Sequence, residues 1–429
     1  TETSDTVVVT SVADDNGGDK ADKGTRRRRF MYMTEEQDRI LKEKGDLEES
    51  LMQTPTPIKA LKLPTIRSGG SSSAKGGFGG GFGGSSYSGK SKKKKNTKQK
   101  ASGSDSATSQ STSPKNEQGP NKAAVQAVVK AIQEDGIVRL DNVMSPQAAD
   151  ALREYLIDLR ARSTAAIEEG LIQDSQERFA DVLLNQNRCD LKIPLGPAPV
   201  NQALLDVLTT NDKDNPYPSL VRSVIESVFE AYQGQGKYAS LWELNCFMSN
   251  SGARRQLVHA DNVCLEPVVG LEDGEPIILT CFIALQDTDP TMGPTVWMPG
   301  THTIDAHNRF FETGRDKSST KTDGYSPKNE ILKSSKAVSG APLPKGSCVI
   351  FDPRVLHCAG ANVCSDPTKT RALFYMSFKN PRVDHPGCPS TSGYGIATAE
   401  LTLEQLVKEL IHERNGEPAR HLALLASSP

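Results

Sequence analysis

From Tyr238 onward the apolar residues stop recurring at helical spacing. They gather instead into six short β-rich runs, 239–249, 256–259, 276–285, 295–298, 347–351 and 371–378, parted by turn residues. Short strands in series bury little alone; they close into a sandwich or barrel, and helices cover the face left apolar. Those helices come first in the chain. Val125, Val128, Val129 and Ile132 share one helical face that stops at Asp135-Gly136, ahead of a strand from Ile137 to Leu140. Ser145-Pro146 then supplies an N-cap serine with proline at the first helical position, opening a helix through Leu152, Leu156 and Leu159. Further helices are predicted at 200–209, 218–232 and 403–414. The last has a Thr402/Gln405 capping box and a stop at Asn415-Gly416. The expected fold is mainly β with flanking α-helices.

The first 120 residues read differently. They carry 21 Lys and Arg against 15 Asp and Glu, whereas 121–429 carry 30 against 38, so a basic head joins an acidic body. Residues 66–120 run from a Gly/Ser/Phe stretch through Lys90, Lys92 to Lys95, Lys98 and Lys100 into a Ser/Thr/Gln tract. Such a segment buries too little apolar surface to offset its ordering entropy. The expected organisation is a disordered, low-complexity basic region at 1–120, a folded domain at 121–415 and a C-terminal tail at 416–429. A short charged helix fits between Thr34 and Met52, yet 1–120 as a whole is expected to be dispensable for folding. The lysine cluster suits nucleic acid or an acidic surface, or serves as a solvated linker.

All eight cysteines lie in the body and none forms C-x-x-C, which points to reduced thiols in an intracellular compartment that the sequence does not name. No apolar run reaches the ~20 residues of a membrane helix. The chain begins at Thr1 without an initiator Met, which is compatible with a removed targeting segment.

The chemistry gathers around Gln256-Leu257-Val258-His259-Ala260-Asp261. In an extended strand, residues i and i+2 point the same way, so His259 and Asp261 can reach one metal ion. H-x-D alone is a weak motif. One further histidine would complete a two-His-one-carboxylate face with open positions opposite. His357 stands after Gly346-Ser347-Cys348-Val349-Ile350-Phe351-Asp352, a turn into a buried strand. Fourteen residues later, Arg371 opens the strand Arg371 to Phe378, with Leu373, Tyr375 and Ser377 on its own side. A guanidinium there can grip a carboxylate with two parallel bonds. Taken singly, His357 reads as well as a core histidine and Arg371 as a rim ion pair; together they fit one ordered site.

Over about 124–380 the chain resembles the phytanoyl-CoA dioxygenase-like (PhyH) family. The likeness rests on Gly136-Ile137-Val138, Asn142-Val143-Met144-Ser145, Gln256 through Asp261, Ala284-Leu285-Gln286-Asp287, Gly293-Pro294, Met298-Pro299-Gly300-Thr301-His302 and the His357-to-Arg371 segment. The resemblance implies a double-stranded β-helix (jelly-roll) core in a catalytic domain at 121–415. It implies His259, Asp261 and His357 on Fe(II), Arg371 on 2-oxoglutarate, and O2 as the second co-substrate. It places Phe282 beside 2-oxoglutarate. Asn245 and Phe247, by alternation, and Gln256, three residues before the ligand histidine, are candidates to line the substrate space. The implied reaction hydroxylates a C–H bond of a small-molecule or acyl substrate, releasing succinate and CO2. Related halogenases lack the carboxylate that Asp261 supplies.

A rival reading is a non-catalytic jelly-roll binding or regulatory protein whose basic tail recruits nucleic acid or a partner. His302 reads as a turn-fixing residue, and Trp297 as core or pocket wall. The polar stretch 304–344 is expected to be a long loop, either a lid or an insertion.

Overall fold

The structure, a computed structural model, describes residues 35–64, 119–183, 187–210, 216–230, 235–272, 274–311, 326–366, 369–384 and 401–417. In chain order the elements are α1 (Glu35–Leu51), β1 (Thr56–Pro57), α2 (Lys122–Asp135), β2 (Ile137–Leu140), α3 (Pro146–Glu168), β3 (Phe179–Leu183) and β4 (Arg188–Lys192). There follow α4 (Ala198–Leu208), α5 (Leu220–Glu230), β5 (Ser240–Ser249), β6 (Ile278–Ala284), β7 (Thr295–Trp297), α6 (Ile304–Phe311) and α7 (Pro327–Ser334). The chain closes with β8 (Val338–Ser339), β9 (Cys348–Phe351), β10 (His357–Ala359), β11 (Arg371–Lys379) and α8 (Leu403–Arg414).

The strands form two sheets. One has seven strands in the order β2-β9-β6-β11-β5-β4-β3, and the other four in the order β1-β8-β7-β10. Every pairing is antiparallel except β1 with β8. Outside the runs β5-β4-β3 and β8-β7, neighbouring strands are distant in the chain, as in a double-stranded β-helix, with helices covering one face of the large sheet.

Local chemistry accounts for the borders. Gly136 ends α2 at φ +73°, a left-handed cap that costs glycine little. The Ser145 side chain caps α3, and Thr402 with Gln405 forms the capping box of α8. Alternation then sorts side chains between two cores. Leu244, Cys246 and Met248 of β5, Cys281 and Ile283 of β6, and Phe374, Met376 and Phe378 of β11 join α2 to α5 and α8 in the large apolar core. The intervening residues face the other sheet, where Phe282, Trp297, Val349, Phe351 and Leu373 gather. A third cluster, with Val258, Val296, Met298, Phe310, Leu332 and Leu356, backs the small sheet.

The expected boundary at residue 120 is corrected. Residues 35–64 are part of the folded body: β1 pairs with β8, Leu61 N donates to Arg139 O at 3.0 Å, and Leu51 and Met52 pack on the cluster behind the small sheet. The sequence concealed this because the decisive contact of α1 is polar. Glu48, 5% exposed, accepts from Val258 N at 2.8 Å and lies 2.8 Å from Lys328 Nζ. The stretch 304–344 is likewise not one loop. Its described parts form α6, α7 and β8, and they bury Phe310, Ile331 and Leu332 behind the small sheet. The basic runs Arg26 to Arg29 and Lys90 to Lys100, the predicted low-complexity segment up to 118, and 418–429 lie outside the described residues. No described helix is long and apolar enough to cross a membrane, and the seven described cysteines are free.

Candidate active site

His259 and His357 face each other across one β-bridge. His259 N donates to His357 O at 2.9 Å, and His357 N donates back to His259 O at 2.8 Å. Bridged residues of antiparallel strands send their side chains to the same side, and the two rings stand 4.5 Å apart between centroids. The predicted strand 256–259 is reduced to that bridge. Three other bonds hold the segment: Gln256 N to Ala359 O at 2.8 Å, Val258 N to Glu48, and Asp261 N to Pro353 O at 3.0 Å.

Each histidine is oriented by its own chain. His259 Nδ1 lies 2.8 Å from Leu257 O, and His357 Nδ1 lies 2.8 Å from Val355 O. A carbonyl oxygen only accepts, so Nδ1 holds the proton and Nε2 keeps its lone pair. Burial, above all, pulls the His357 pKa down; the Asp261 carboxylate opposes this and His259 adds to it. That lowering favours the neutral His357 imidazole, the form that binds metal. The two Nε2 atoms converge on Asp261, at 3.6 Å from Oδ1 and 3.5 Å from Oδ2. The three ligand atoms lie within 4.8 Å of one another, a spread that one first-row ion with bonds of ~2 Å can gather by small side-chain shifts.

Arg371 is 1% exposed. Its Nη1 donates to Thr295 Oγ1 at 3.2 Å, while Nε and Nη2 find no partner among the described residues. Burial first, then the neighbouring Arg188 guanidinium, pushes its pKa down to about 9. Both guanidiniums flank the Phe247 ring, at 5.6 Å for Arg188 and 5.9 Å for Arg371. A buried guanidinium with spare donors fits an anion and is costly without one.

A cavity of ≈ 270 Å³ opens beside the triad, lined among others by Asp190, Glu243, Gln256, Thr280, Phe282 and Tyr375. The Phe282 ring lies 4.9 Å from the Phe351 ring and 5.3 Å from that of Tyr375. Gln256 is pinned to the β10 backbone, its Oε1 accepting from Ala359 N at 3.0 Å. Asn245 is fully buried and donates to the Tyr375 hydroxyl at 3.0 Å. Of the residues singled out in the sequence, His259, Asp261, His357, Phe282, Gln256 and Phe247 line this cavity, while Arg371 and Asn245 bond to its lining residues Thr295 and Tyr375. Arg188, Asp190 and Glu243 were missed. The first two sit on β4, whose Arg-Cys-Asp-Leu-Lys alternation is a strand signal with a charged inner face. His302 and His307 stand apart: His302 Nε2 lies 3.3 Å from Gln133 O, and His307, wholly buried, bridges Cys264 N and Arg354 O.

Two imidazoles and a carboxylate converging in the lumen form a two-His-one-carboxylate face suited to a divalent first-row metal ion. Residues 132–370 match the family described as Phytanoyl-CoA dioxygenase (PhyH), and the chain belongs to that family. It is 33% identical over 113 residues to an ectoine dioxygenase of Stutzerimonas stutzeri (strain A1501), a match covering 25% of this chain and 37% of that one. A second ectoine dioxygenase, from Bordetella bronchiseptica (strain ATCC BAA-588 / NCTC 13252 / RB50), is 30% identical over 122 residues, 26% of this chain and 38% of its own. The chain thus spans little more than a third of the length of these relatives. Among solved structures, the non-heme alpha ketoglutarate dependent carbocyclase SnoK from nogalamycin biosynthesis aligns at 16% identity and TM-score 0.36, covering 59% of this chain and 83% of that one. EctD from S. alaskensis with 2-oxoglutarate and 5-hydroxyectoine aligns at 14% identity and TM-score 0.35, over 61% and 77%.

Proposed function

We propose that this protein hydroxylates a C–H bond of a small molecule, with His259, Asp261 and His357 holding Fe(II) and Arg371 holding 2-oxoglutarate. The observation that carries this is the pairing of the convergent triad with a buried guanidinium that still has two N–H donors to give. Spacing supports it. Thr295, bonded to Arg371, is in register with Ala359, two residues beyond His357. Two residues of strand span roughly 7 Å, a length that suits a five-carbon dicarboxylate between metal and arginine.

When bound, iron(II) and 2-oxoglutarate supply O2 activation coupled to decarboxylation, which yields succinate and CO2. The chain's own part is positional. Leu257 O and Val355 O keep both Nε2 lone pairs on the lumen, and Asp261 adds the charge a divalent ion needs. Arg371 neutralises the distal carboxylate. Phe282, Phe351 and Trp297 keep water from the space between them. The Asp261 carboxylate occupies the position that halogenases leave to halide, which favours hydroxylation.

The test is succinate release from the full-length chain supplied with Fe(II), 2-oxoglutarate and O2 over a metabolite panel. Iron-dependent succinate is the expected result. Stoichiometric iron binding with no succinate under any condition would overturn it in favour of a non-catalytic binding protein. The lysine cluster at 90–100 is proposed separately to contact nucleic acid; a steep fall of affinity with salt is the expected mark.

A further inference from the structure

His259 and Asp261 stand on a segment that belongs to neither sheet. Residues 256–261 meet β10 through one bridge, at His259. Along a strand, successive backbone N–H groups point to opposite sides. His259 N faces β10, so Val258 N faces away from it, where a sheet would supply another strand. Here the acceptor comes from α1 instead: Glu48, 5% exposed, takes the Val258 amide at 2.8 Å.

The helix is held from several directions. Lys328 Nζ, at the start of α7, lies 2.8 Å from Glu48 Oε1 and keeps that carboxylate in place. Leu51 and Met52 pack with Val258, Val296 and Leu356 behind the small sheet. A Cβ added at Gly45 would lie 4.0 Å from Leu257 Cδ2, so α1 passes close behind the residue whose carbonyl orients His259 Nδ1. Arg255 ties these pieces together. Its Nη1 donates to Gly45 O at 3.0 Å, and its Nη2 to Met52 Sδ at 2.9 Å and Cys358 Sγ at 3.3 Å. Cys358 follows His357 on β10. One guanidinium thus springs from the His259 segment, grips α1 and reaches the residue beside the second histidine.

Resting on the metal assignment in the reading above, we propose that α1 is a clamp on the iron site, with Arg255 and Glu48 as its positioning residues. Two of the three ligands ride on a segment with one bridge, so any swing of that segment carries His259 and Asp261 away from His357. The contacts from Gly45, Glu48 and Met52 oppose that swing, and iron affinity depends on them. The clamp comes from outside residues 132–370, the stretch that matches the family.

Anaerobic titration of the full-length protein with Fe(II) alone tests this without turnover. Arg255→Ala, which removes all three of these contacts, should weaken Fe(II) by about tenfold or more. Leu152→Ala, fully buried in the large core, serves as the control: it should lower the melting temperature at least as much and keep Fe(II) affinity within twofold of wild type. Hydrogen exchange of the 256–261 amides should quicken in Arg255→Ala and not in Leu152→Ala. Should Arg255→Ala fail to fold, Arg255→Lys carries the same expectation, because an ammonium keeps the charge but cannot span the three partners. Fe(II) affinity within twofold of wild type in the folded Arg255 variant overturns the clamp. An equal loss of iron in Arg255→Ala and Leu152→Ala overturns it too, since general loosening would then account for both. A wild-type chain that binds no Fe(II) removes the metal assignment and the clamp with it, whereas wild-type binding that the Arg255 variant leaves intact removes the clamp alone.

Discussion

Along β11 all nine residues are buried, yet alternate positions enter two different environments. Ala372, Phe374, Met376 and Phe378 meet only apolar neighbours under the helices. Arg371, Tyr375 and Ser377 meet carboxylates, hydroxyls and spare donors in the lumen. One face of the sheet is made of groups satisfied by each other. The other carries polar groups, among them Arg371, two of whose nitrogens have no partner among the described residues. That difference separates what holds the fold from what the fold is for, and substitutions on the two faces should differ in kind.

The largest effect expected is on the apolar face. Phe374→Ala empties a fully buried ring position and should cost about 3–5 kcal/mol of stability, with 2-oxoglutarate affinity unchanged wherever the protein remains folded. Denaturant melts and calorimetric titration check the two halves. Arg371→Leu, three residues earlier on the same strand, should do the reverse. It loses about 2–5 kcal/mol of 2-oxoglutarate binding, keeps its iron affinity, and shows no fall in melting temperature because an unsatisfied buried charge has gone. A large stability loss with intact 2-oxoglutarate binding would assign that arginine to the core.

His357→Ala and His259→Ala should each weaken iron binding by at least about 10–100-fold. His302→Ala and His307→Ala, whose rings serve backbone groups, should retain iron and lose some stability. Metal content after gel filtration sorts the four, and iron lost from His302→Ala but kept by His357→Ala would reverse the assignment. The smallest effect expected is at Glu48. Replacing it by Ala strands the Val258 amide beside the metal-bearing segment and should cost about 1–3 kcal/mol. Iron affinity should fall with it, while Glu48→Gln, which still accepts that bond, recovers part of both.

The apolar face was legible in the sequence because alternation and caps are local signals. The bounds of β2, the capping box of α8 and the glycine stop of α2 all follow from residues within one turn of each other. The ligand set was legible for a different reason, its ordered spacing around His259 and Arg371. What escaped reading depends on distant partners. The charges of β4 look like solvent-facing residues until the opposite sheet encloses them. Glu48 looks like one charge among many until the Val258 amide is found 2.8 Å away. The segment 256–261 looks like a strand, but only His259 finds a bridge partner there.

Asn121 Nδ2 donates to Pro64 O at 3.3 Å, so the chain before and after the 65–118 segment is tied together within the body. In chain order the segment is an insertion into the body's sequence rather than a lead-in to it. Closure entropy grows only as the logarithm of length, each doubling costing about 0.6 kcal/mol, so the composition and extent of such an insertion can change with little penalty to the body. A single cut within it should leave a two-piece protein, in which the α1–β1 fragment stays bound through β8, Leu61 and Glu48. Truncation at residue 121, which removes that fragment altogether, would strip the support from behind His259.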